Sequence, residues 1–378
     1  MQIPVARRDP LHELRALAGR ITGDPKSTFF APGVAVVIAS GGKIVSRIAA
    51  GTDARGAPVR EDTIFPLASA SKLAPGIAVL RLVDEDLVAL DDALGRYVPE
   101  ALAARANVTL RMLLSHTSGL PLEFRPGQVH YGPELNWGTM AAACMDTPLA
   151  HEPATRVQYS NIAYGLLGIV IERATGLDYR SAIERLVLDP LSAEAYVGRS
   201  GPRPHAAVMD VDSPFAGTEL EPFNSAFFQH QIMPWSSVYA TGDGLLALLG
   251  VYAGMRPDLV RAETVAEARL DQTHGLEGGF GTADPFIGFN KSKRITWPRC
   301  AWGLTAELRG DKRPHWTPAA ASPDSFGQVG SAGCLVWSDP TRGVSWAILG
   351  TRTTDNGWML RYGAAIGNIA LAMGEEAG

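Results

Sequence analysis

Residues 63–90 read TIFPLASASKLAPGIAVLRLVDEDLVAL, and the pattern in this stretch decides the fold. Apolar side chains recur at steps of three and four residues from Leu73 to Leu87, which predicts a long amphipathic helix. Ser69 and Lys72 are expected at the start of this helix. Because residues three apart share one face of a helix, the lysine amine can reach the serine hydroxyl. The stretch therefore predicts a serine nucleophile beside a basic amine.

The position of this pair at a helix start adds a second chemical feature. The first amides of a helix have no partner within it, so the N–H of Ser69 is placed to hold a developing oxyanion. For Lys72 to accept a proton it must be neutral, which requires its pKa to fall from about 10.4 to about 7–8. A Ser-x-x-Lys match alone is a weak signal, because many solvent-facing helices contain one by chance. Other motifs in the chain must therefore support the Ser-x-x-Lys match before it indicates a catalytic pair.

Length and charge restrict the class of protein. The chain has 378 residues, of which 46% are hydrophobic and 19% charged, a balance typical of a globular protein with a large core. This length predicts two lobes or two interleaved domains. The net charge is −5 and no dense Lys/Arg run occurs, which argues against a nucleic-acid partner.

Two features of the sequence predict the cellular compartment of the protein. Residues 1–30 contain no apolar stretch of the length that a secretory signal or a membrane helix needs, which predicts a cytoplasmic protein without membrane association. Cys144, Cys300 and Cys334 are far apart and lack CxxC spacing. This spacing predicts free core thiols in a reducing compartment rather than disulfides or a zinc site.

The order of predicted elements indicates the fold class. Residues 32–51 predict two strands joined at Gly41-Gly42, a pair that supplies positive φ in a hairpin. Short helices are predicted after Thr109 and at 161–174, and a helix at 360–373 ends the chain. Further strands are predicted at 301–308, 331–338 and 344–351. Strands at both ends with helices between them predict an α/β (α+β) fold, in which a helical insertion splits a sheet.

This arrangement predicts two lobes with the active site between them. Residues 1–75 and 230–378 are expected to form the sheet lobe, and residues 76–229 a helical lobe with loops. The Pro- and Gly-rich stretch from about 190 to 228 is expected to be mostly loop.

Three further motifs agree with the serine and lysine in order and spacing. They are VTLRMLLSHTSGLP at 108–121, Tyr159-Ser160-Asn161 before an apolar helix, and SFGQVGSAG at 325–333. With these motifs, the chain from about Pro32 to Met373 resembles the serine β-lactamase-like, penicillin-recognising family. That family includes class C β-lactamases, D-alanyl-D-alanine peptidases, β-lactamase-fold esterases and acyltransferases. The resemblance implies an antiparallel sheet flanked by helices with an inserted helical lobe.

The resemblance also implies roles for the second motif. Tyr159 would be the second acid/base group, which either helps to deprotonate Ser69 or protonates the leaving group. A phenol acts as a base near neutral pH only beside positive charge, and Lys72 can supply that charge. Asn161 would form a hydrogen bond with Lys72 or with a substrate carbonyl.

The third motif departs from the family pattern. The family usually has Lys or His where this chain has Gln328, which exchanges hydrogen bonds but carries no charge. By resemblance, Gln328 and Gly330 would bind substrate, and the amide of Ser331 would be the second oxyanion donor. A missing cation favours neutral esters or amides over substrates with a carboxylate. A cation from another element could replace it, and the candidates are Arg294, Arg299, Arg352 and Arg361.

The function predicted from these features is a serine hydrolase that forms an acyl-enzyme on Ser69 and acts on a small ester or amide without a cofactor or metal. The alternatives are an acyltransferase with the same acyl-serine, a β-lactamase or D-alanyl peptidase, and a non-catalytic relative that binds an acyl-like ligand. The histidines lack ligand spacing, and neither Gly-x-Ser-x-Gly nor Gly-x-Gly-x-x-Gly occurs. Core packing is predicted for Trp235, Trp297, Trp302 and Trp316, and loop positions for His116 and His151.

Overall fold

The computed structural model describes residues 9–198, 201–280 and 295–377. Its strands are β1 (Gly33–Ser40), β2 (Lys43–Gly51), β3 (Phe65–Pro66), β4 (Val157–Gln158), β5 (Ala195–Val197), β6 (Val238–Ala240), β7 (Gly278–Phe280), β8 (Ile295–Trp297), β9 (Glu307–Leu308), β10 (Phe326–Gly330), β11 (Cys334–Asp339) and β12 (Val344–Gly350). Its α-helices are α1 (Pro10–Thr22), α2 (Leu73–Asp84), α3 (Leu110–Leu114), α4 (Trp137–Met145), α5 (Asn161–Thr175), α6 (Tyr179–Ile183), α7 (Asp189–Leu191), α8 (Ala226–His230), α9 (Gly242–Tyr252), α10 (Ala262–Ala268) and α11 (Trp358–Ala377). Shorter 3₁₀ segments include Ala68–Lys72.

The main sheet joins the two ends of the chain. Its strand order is β2-β1-β12-β11-β10-β9, and each neighbouring pair is antiparallel. Val37 of β1 pairs with Ala347 of β12, which fixes the register between the first and last strands of the sheet. Two smaller sheets have the orders β3-β6-β5 and β4-β7-β8. The predicted α/β fold with an antiparallel sheet is confirmed.

The hairpin at the start of the sheet follows the prediction. Gly41 and Gly42 form the turn between β1 and β2 with φ angles of 54° and 78°, which favour glycine. Alternate side chains of β1 then enter two different apolar clusters. Val34, Val36 and Ile38 pack with residues of α1 and α11, whereas Ala35 and Val37 face the cluster that contains α2, α5 and α9. The sheet therefore separates two layers of helices.

Several predicted element bounds differ from the structure. Residues 331–333 form a turn closed by a hydrogen bond from Gly333 N to Gly330 O at 3.0 Å, so β11 begins at Cys334 and not at 331. Strand β10 was not predicted, because its two glycines and one glutamine break the apolar alternation that marks a half-buried strand. Of the strand predicted at 301–308, only Glu307–Leu308 is a strand.

The helix that follows Ser69 and Lys72 also begins later than predicted. Ser69 and Lys72 lie in the 3₁₀ segment, and α2 starts only at Leu73 and ends at Asp84. In a 3₁₀ segment, side chains three apart eclipse one another, so the serine and lysine remain on one face. The short helix capped by Thr109 is confirmed, since its hydroxyl accepts from Met112 N at 3.3 Å.

The apolar cluster that contains α2, α5 and α9 extends to the inner face of the main sheet. The 3₁₀ segment lies at its edge, where it contacts β10 and β6. None of the helices in the described residues combines the length and the apolar character needed to cross a membrane. The division into a sheet lobe of 1–75 and 230–378 and a helical lobe of 76–229 stays a prediction.

Candidate active site

The segment that carries the serine is held by strand β6. Leu67 N donates to Val238 O at 2.9 Å, and Val238 N donates to the hydroxyl of Ser71 at 2.9 Å. Ala68 has a φ of 45°, a left-handed conformation that costs a non-glycine residue about 1–2 kcal/mol. Ser69 is the one residue between 64 and 80 that is not buried. The chain thus holds a single serine of this segment at the surface of a packed region.

Lys72 is fully buried and makes three polar contacts. Its Nζ lies 3.2 Å from Ser69 Oγ, 2.6 Å from Asn161 Oδ1 and 3.4 Å from the carbonyl oxygen of Trp235. The aromatic ring of Tyr159 is also close, with its centroid 4.7 Å from Nζ. The structure therefore brings together the predicted serine, lysine, tyrosine and asparagine.

The surroundings of Lys72 change its acidity in the direction that a base requires. Burial lowers the pKa of Lys72 from 10.5 to about 7, and the negative charge of Glu123 opposes this effect. The neutral form of the amine is then accessible near neutral pH. A neutral amine 3.2 Å from a hydroxyl can accept its proton.

The start of α5 positions the second motif. The hydroxyl of Ser160 caps this helix by accepting from Ala163 N at 3.0 Å, so Asn161 occupies the first helical position. The backbone of Tyr159 is tied to the β4-β7-β8 sheet, because its N donates to Gly279 O at 3.1 Å. The start of α5 and the edge of the β4-β7-β8 sheet together fix the backbone positions of Tyr159 and Asn161.

Tyr159 lies in an aromatic cluster. Its ring centroid is 4.3 Å from that of His116, 4.7 Å from that of Phe280 and 5.7 Å from that of Trp302. Burial raises the pKa of Tyr159 above its usual value, and its interaction with Ser69 opposes that rise only in part. Among the residues that the structure describes, the hydroxyl makes no hydrogen bond of ordinary geometry. The phenol is consequently protonated at neutral pH.

His116 is a loop residue, as predicted, and it nevertheless supports the site. It is fully buried, and its Nδ1 accepts from Ser160 N at 3.1 Å. Burial and the charges of Lys72 and Lys312 hold the pKa of His116 well below its usual range. The neutral ring packs on Tyr159, which makes it part of the frame around the phenol.

The third motif contacts the serine segment through its backbone. A Cβ on Gly330 would lie 2.0 Å from Leu67 O, so only glycine permits this close approach of β10. Ser331 follows directly and is exposed. Gln328 is buried, and its Nε2 donates to the carbonyl oxygen of Thr305 at 2.6 Å. One amide hydrogen of Gln328 is therefore bound to the protein itself.

The candidate replacement cations differ in what they contact. Arg299 forms an ion pair with Asp311, and Arg352 forms one with Asp210. Arg361 is exposed on α11. The fourth candidate, Arg294, lies outside the described residues.

The cysteines and tryptophans match their predictions. All three cysteines are buried and free, and burial raises the pKa of the Cys300 thiol to about 12. The four tryptophans are at most 6% exposed, so they pack in the core. Two of them also contact the site, Trp302 through its ring and Trp235 through its carbonyl oxygen. No group of three potential metal ligands occurs among the described residues.

Two contacts of the site carry no signal in the sequence. The carbonyl of Trp235 is a backbone group, and any residue type can supply it. Glu123 accepts a hydrogen bond from Asn161 Nδ2 and belongs to the loop between α3 and α4. A single acidic residue in a loop is usually solvated, and only the fold shows that this one is 8% exposed.

The chain is similar to known proteins in both sequence and structure. Residues 28–367 match the family model described as Beta-lactamase. Esterase EstB of Burkholderia gladioli is 37% identical over 181 residues, which are 42% of this chain and 45% of that protein. The chain therefore spans less than half the length of this relative.

Solved structures share the fold over nearly the whole chain. EstCE1, described as a hydrolase with promiscuous acyltransferase activity, has a TM-score of 0.73 at 19% identity and covers 97% of this chain and 98% of its own. A penicillin-binding protein homologue from Caulobacter crescentus has a TM-score of 0.70 at 20% identity, over 96% and 98% of the two chains. At such identities, the likeness establishes the fold alone.

Proposed function

The chain belongs to the beta-lactamase family, and from this premise we propose that it is a serine hydrolase that cleaves small neutral esters or amides through an acyl-Ser69 intermediate. The observation that carries the proposal is the contact of 3.2 Å between Ser69 Oγ and the fully buried Nζ of Lys72. A buried amine with a pKa of about 7 can act as a base near neutral pH and so can deprotonate the serine that attacks the ester.

The proposed reaction has two halves. In acylation, Ser69 Oγ attacks the substrate carbonyl carbon, and its proton passes to the amine of Lys72. The N–H groups of Ser69 and Ser331 are proposed to hold the oxyanion that forms. The bond to the leaving alcohol or amine then breaks, and the leaving group takes up a proton. In deacylation, water attacks the acyl-serine, the acid is released, and the serine oxygen regains its proton.

The opposite pKa shifts divide the roles of the two acid/base groups. The lowered pKa of Lys72 suits the proton acceptor, whereas the raised pKa of Tyr159 keeps the phenol protonated, so it enters the reaction with a proton and not as a base. Of the two roles that the family resemblance allowed for Tyr159, these shifts favour protonation of the leaving group. We propose that the lysine ammonium, whose Nζ lies 4.7 Å from the ring centroid, then replaces the proton that the phenol has given up.

The substrate class follows from the charges near the third motif. Gln328 is neutral, and two of the candidate replacement cations, Arg299 and Arg352, have carboxylate partners of their own. A neutral amide binds a carboxylate more weakly than a cation does. We therefore favour neutral substrates over β-lactams and D-alanyl peptides, and the name of the relative Esterase EstB agrees with this choice.

Acyl transfer to an alcohol or amine is the second candidate. The observation in its favour is that the apolar rings of Phe280 and Trp302 lie beside Tyr159, where they would make the surroundings of an acyl group less polar. The description of EstCE1, a neighbour in fold, includes a promiscuous activity of this kind. If transfer dominates, added alcohol will raise the yield of the new ester at the expense of the free acid.

The test is intact mass measured after exposure to p-nitrophenyl acetate and, separately, to a penicillin. We expect an acetyl adduct on the native chain and none on Ser69→Ala, since that variant lacks the nucleophile. The exposed Ser192→Ala is the matched control and should keep the adduct. An adduct that persists on Ser69→Ala would contradict the proposal, and rapid penicillin turnover would contradict the substrate class.

We propose a cytoplasmic location on the basis of the three buried free cysteines, which suit a reducing compartment. Cell fractionation followed by detection of the chain tests this location. Recovery from the secreted or periplasmic fraction would contradict it.

A further inference from the structure

Behind the lysine lies a buried carboxylate that the reaction outlined above does not use. Glu123 belongs to the loop between α3 and α4 and is 8% exposed. Its Oε1 accepts a hydrogen bond from Asn161 Nδ2, and Asn161 Oδ1 accepts from Lys72 Nζ at 2.6 Å. A continuous chain of contacts therefore runs from Glu123 through Asn161 and Lys72 to Ser69.

We propose that Glu123 is a positioning residue for the nucleophile, whose carboxylate fixes the amide of Asn161 and sets the electrostatic potential at Lys72. The inference rests on the proposed function, because it concerns how the same serine and lysine are made reactive.

The first step of the argument is the direction of the amide. An ionised carboxylate only accepts hydrogen bonds, so it selects the NH₂ end of Asn161. The oxygen end is then left for Lys72. If the amide turned over, its oxygen would face the carboxylate of Glu123 and its NH₂ group would face the amine, and the contact with the carboxylate would become repulsive. Glu123 thus determines that an acceptor, and not a donor, faces the lysine.

The second step is the direction of the lysine lone pair. A neutral amine has two N–H bonds and one lone pair. Asn161 Oδ1 and the Trp235 carbonyl oxygen lie 2.6 Å and 3.4 Å from Nζ and accept the two N–H groups. The lone pair then faces the remaining neighbour, Ser69 Oγ, at 3.2 Å. A misplaced Asn161 amide would remove one of the two acceptors and leave the amine free to rotate.

The third step concerns charge. Within residues 9–198, 201–280 and 295–377, the titratable groups found around Lys72 are Tyr159, Tyr164, the loop residue His116 and Glu123. Burial raises the pKa of both tyrosines and lowers that of the histidine, so all three are neutral near pH 7. The charges of Glu307 and Lys312 also influence the pKa values of this region. These two side chains form an ion pair at 2.7 Å, so their charges largely cancel. Glu123 is consequently the charge that raises the pKa of Lys72 against burial.

The experiment compares pH profiles of kcat/KM for p-nitrophenyl acetate in the full chain. Activity requires neutral Lys72, so in the native chain it should rise with pH through a midpoint near 7. Glu123→Gln removes the negative charge, lowers the pKa of Lys72 further, and should move that midpoint to lower pH by about one unit. Glu123→Ala also removes the acceptor for Asn161 and should lower kcat about tenfold or more, with a smaller change in KM.

The matched control is Glu172→Gln on the same helix as Asn161. Glu172 is another partly buried carboxylate, which accepts from Trp137 Nε1 at 3.1 Å and from Tyr179 N at 2.9 Å, away from Lys72. Its replacement should leave the midpoint where it is. Glu123→Asp keeps the charge and shortens the reach, so it should keep the midpoint and lower kcat. If Glu123→Gln fails to fold, Glu123→Asp still tests the positioning role, because a normal kcat in this variant would contradict it.

The outcomes separate the two proposals. An unchanged midpoint in Glu123→Gln, with an intact acetyl adduct on Ser69, would overturn the inference and leave the proposed function standing. The absence of any Ser69 adduct in the native chain would instead overturn the proposed function. A midpoint that falls equally in Glu172→Gln would show a general loss of buried charge and would also overturn the inference.

Discussion

At the scale of single residues, the chemistry of the site depends on two opposite effects of burial. Removal from water disfavours the charged form of each group, so it lowers the pKa of Lys72 and raises that of Tyr159. Lys72 can then accept a proton near neutral pH, and Tyr159 keeps its own. The same apolar environment therefore acts on both groups, in the directions that the proposed function requires.

Tyr159→Phe tests this division of roles. If the phenol protonates the leaving group, its loss should matter most for substrates whose alcohol is a poor leaving group. We expect kcat/KM for an ethyl or amide substrate to fall about 10²–10⁴-fold, and that for p-nitrophenyl acetate to fall much less, since nitrophenolate leaves without a proton. The measurement is the ratio of the two kcat/KM values in native and variant chains. An equal loss on both substrates would indicate that Tyr159 acts on Ser69 instead.

The residues that could be predicted from the sequence are those with fixed spacing. Ser69 and Lys72 are three positions apart, and Tyr159 and Asn161 lie at the start of an apolar helix, so pattern and resemblance predict that they share a site, and the structure brings them together. Glu123 could not be found in this way, because its importance comes from a contact with Asn161 across 38 positions. Its burial also depends on the packing of the complete loop, which no local pattern encodes.

At the scale of elements, the site depends on how closely β10 approaches the 3₁₀ segment. A Cβ at Gly330 would lie 2.0 Å from Leu67 O and 3.3 Å from Ala70 N, and both of these are backbone atoms that cannot rotate away. Gly330→Ala should therefore separate β10 from the serine segment. We expect a loss of about 1–3 kcal/mol in the free energy of unfolding and a loss of at least tenfold in kcat.

Denaturant unfolding and ester hydrolysis measure the two effects of Gly330→Ala. Gly19→Ala is the matched control, because Gly19 lies in α1 and a Cβ added there would have no heavy atom within 4 Å outside the backbone of its own helix. Alanine is the better helix former, so that variant should be neutral or up to about 1 kcal/mol more stable. Full activity of Gly330→Ala would show that the contact between the strand and the serine segment is not needed.

Long elements were easier to predict than short ones. The hairpin of β1 and β2 and helix α5 follow from turn glycines and from apolar periodicity over many residues. Strands β3 and β4 have two residues each, and β5 and β6 have three, which is too short for any periodicity. They form because tertiary hydrogen bonds at Val238 and Gly279 hold them in place.

At the scale of the whole molecule, the fold class was predictable because strands occur at both ends of the sequence. Pairing of β1 with β12 joins the first and last parts of the sheet, and the helical residues lie between these parts in the sequence. The site then forms from distant segments, since Lys72 contacts positions 89 and 163 residues away. Such contacts depend on how the sheet joins distant parts of the chain. The sequence therefore indicates which residues belong to the site better than it indicates the distances between them.

Acid stability is a property of the whole chain that follows from its buried histidines. His205 is 6% exposed, its Nε2–H donates to Phe223 O at 2.9 Å, and its Nδ1 accepts from Gln229 at 3.2 Å. Burial is the main cause that lowers the pKa of His205 from 6.5 to about 4. Burial lowers the pKa of His116 and His315 in the same direction. Each of these rings is neutral in the folded chain over a range in which the unfolded chain binds a proton.

The sign of the effect follows from this difference. The contribution of His205 is fully present above the unfolded pKa of 6.5 and is lost as pH falls through the folded pKa of about 4. It amounts to about 3 kcal/mol over that window. His205→Gln should lower the free energy of unfolding at pH 7 and flatten its decline between pH 6.5 and 4. Urea unfolding at several pH values measures both, with the exposed His130→Gln as control. An equally steep decline in His205→Gln would mean that other groups cause the acid sensitivity, because removal of a ring that titrates only in the unfolded chain must reduce the slope.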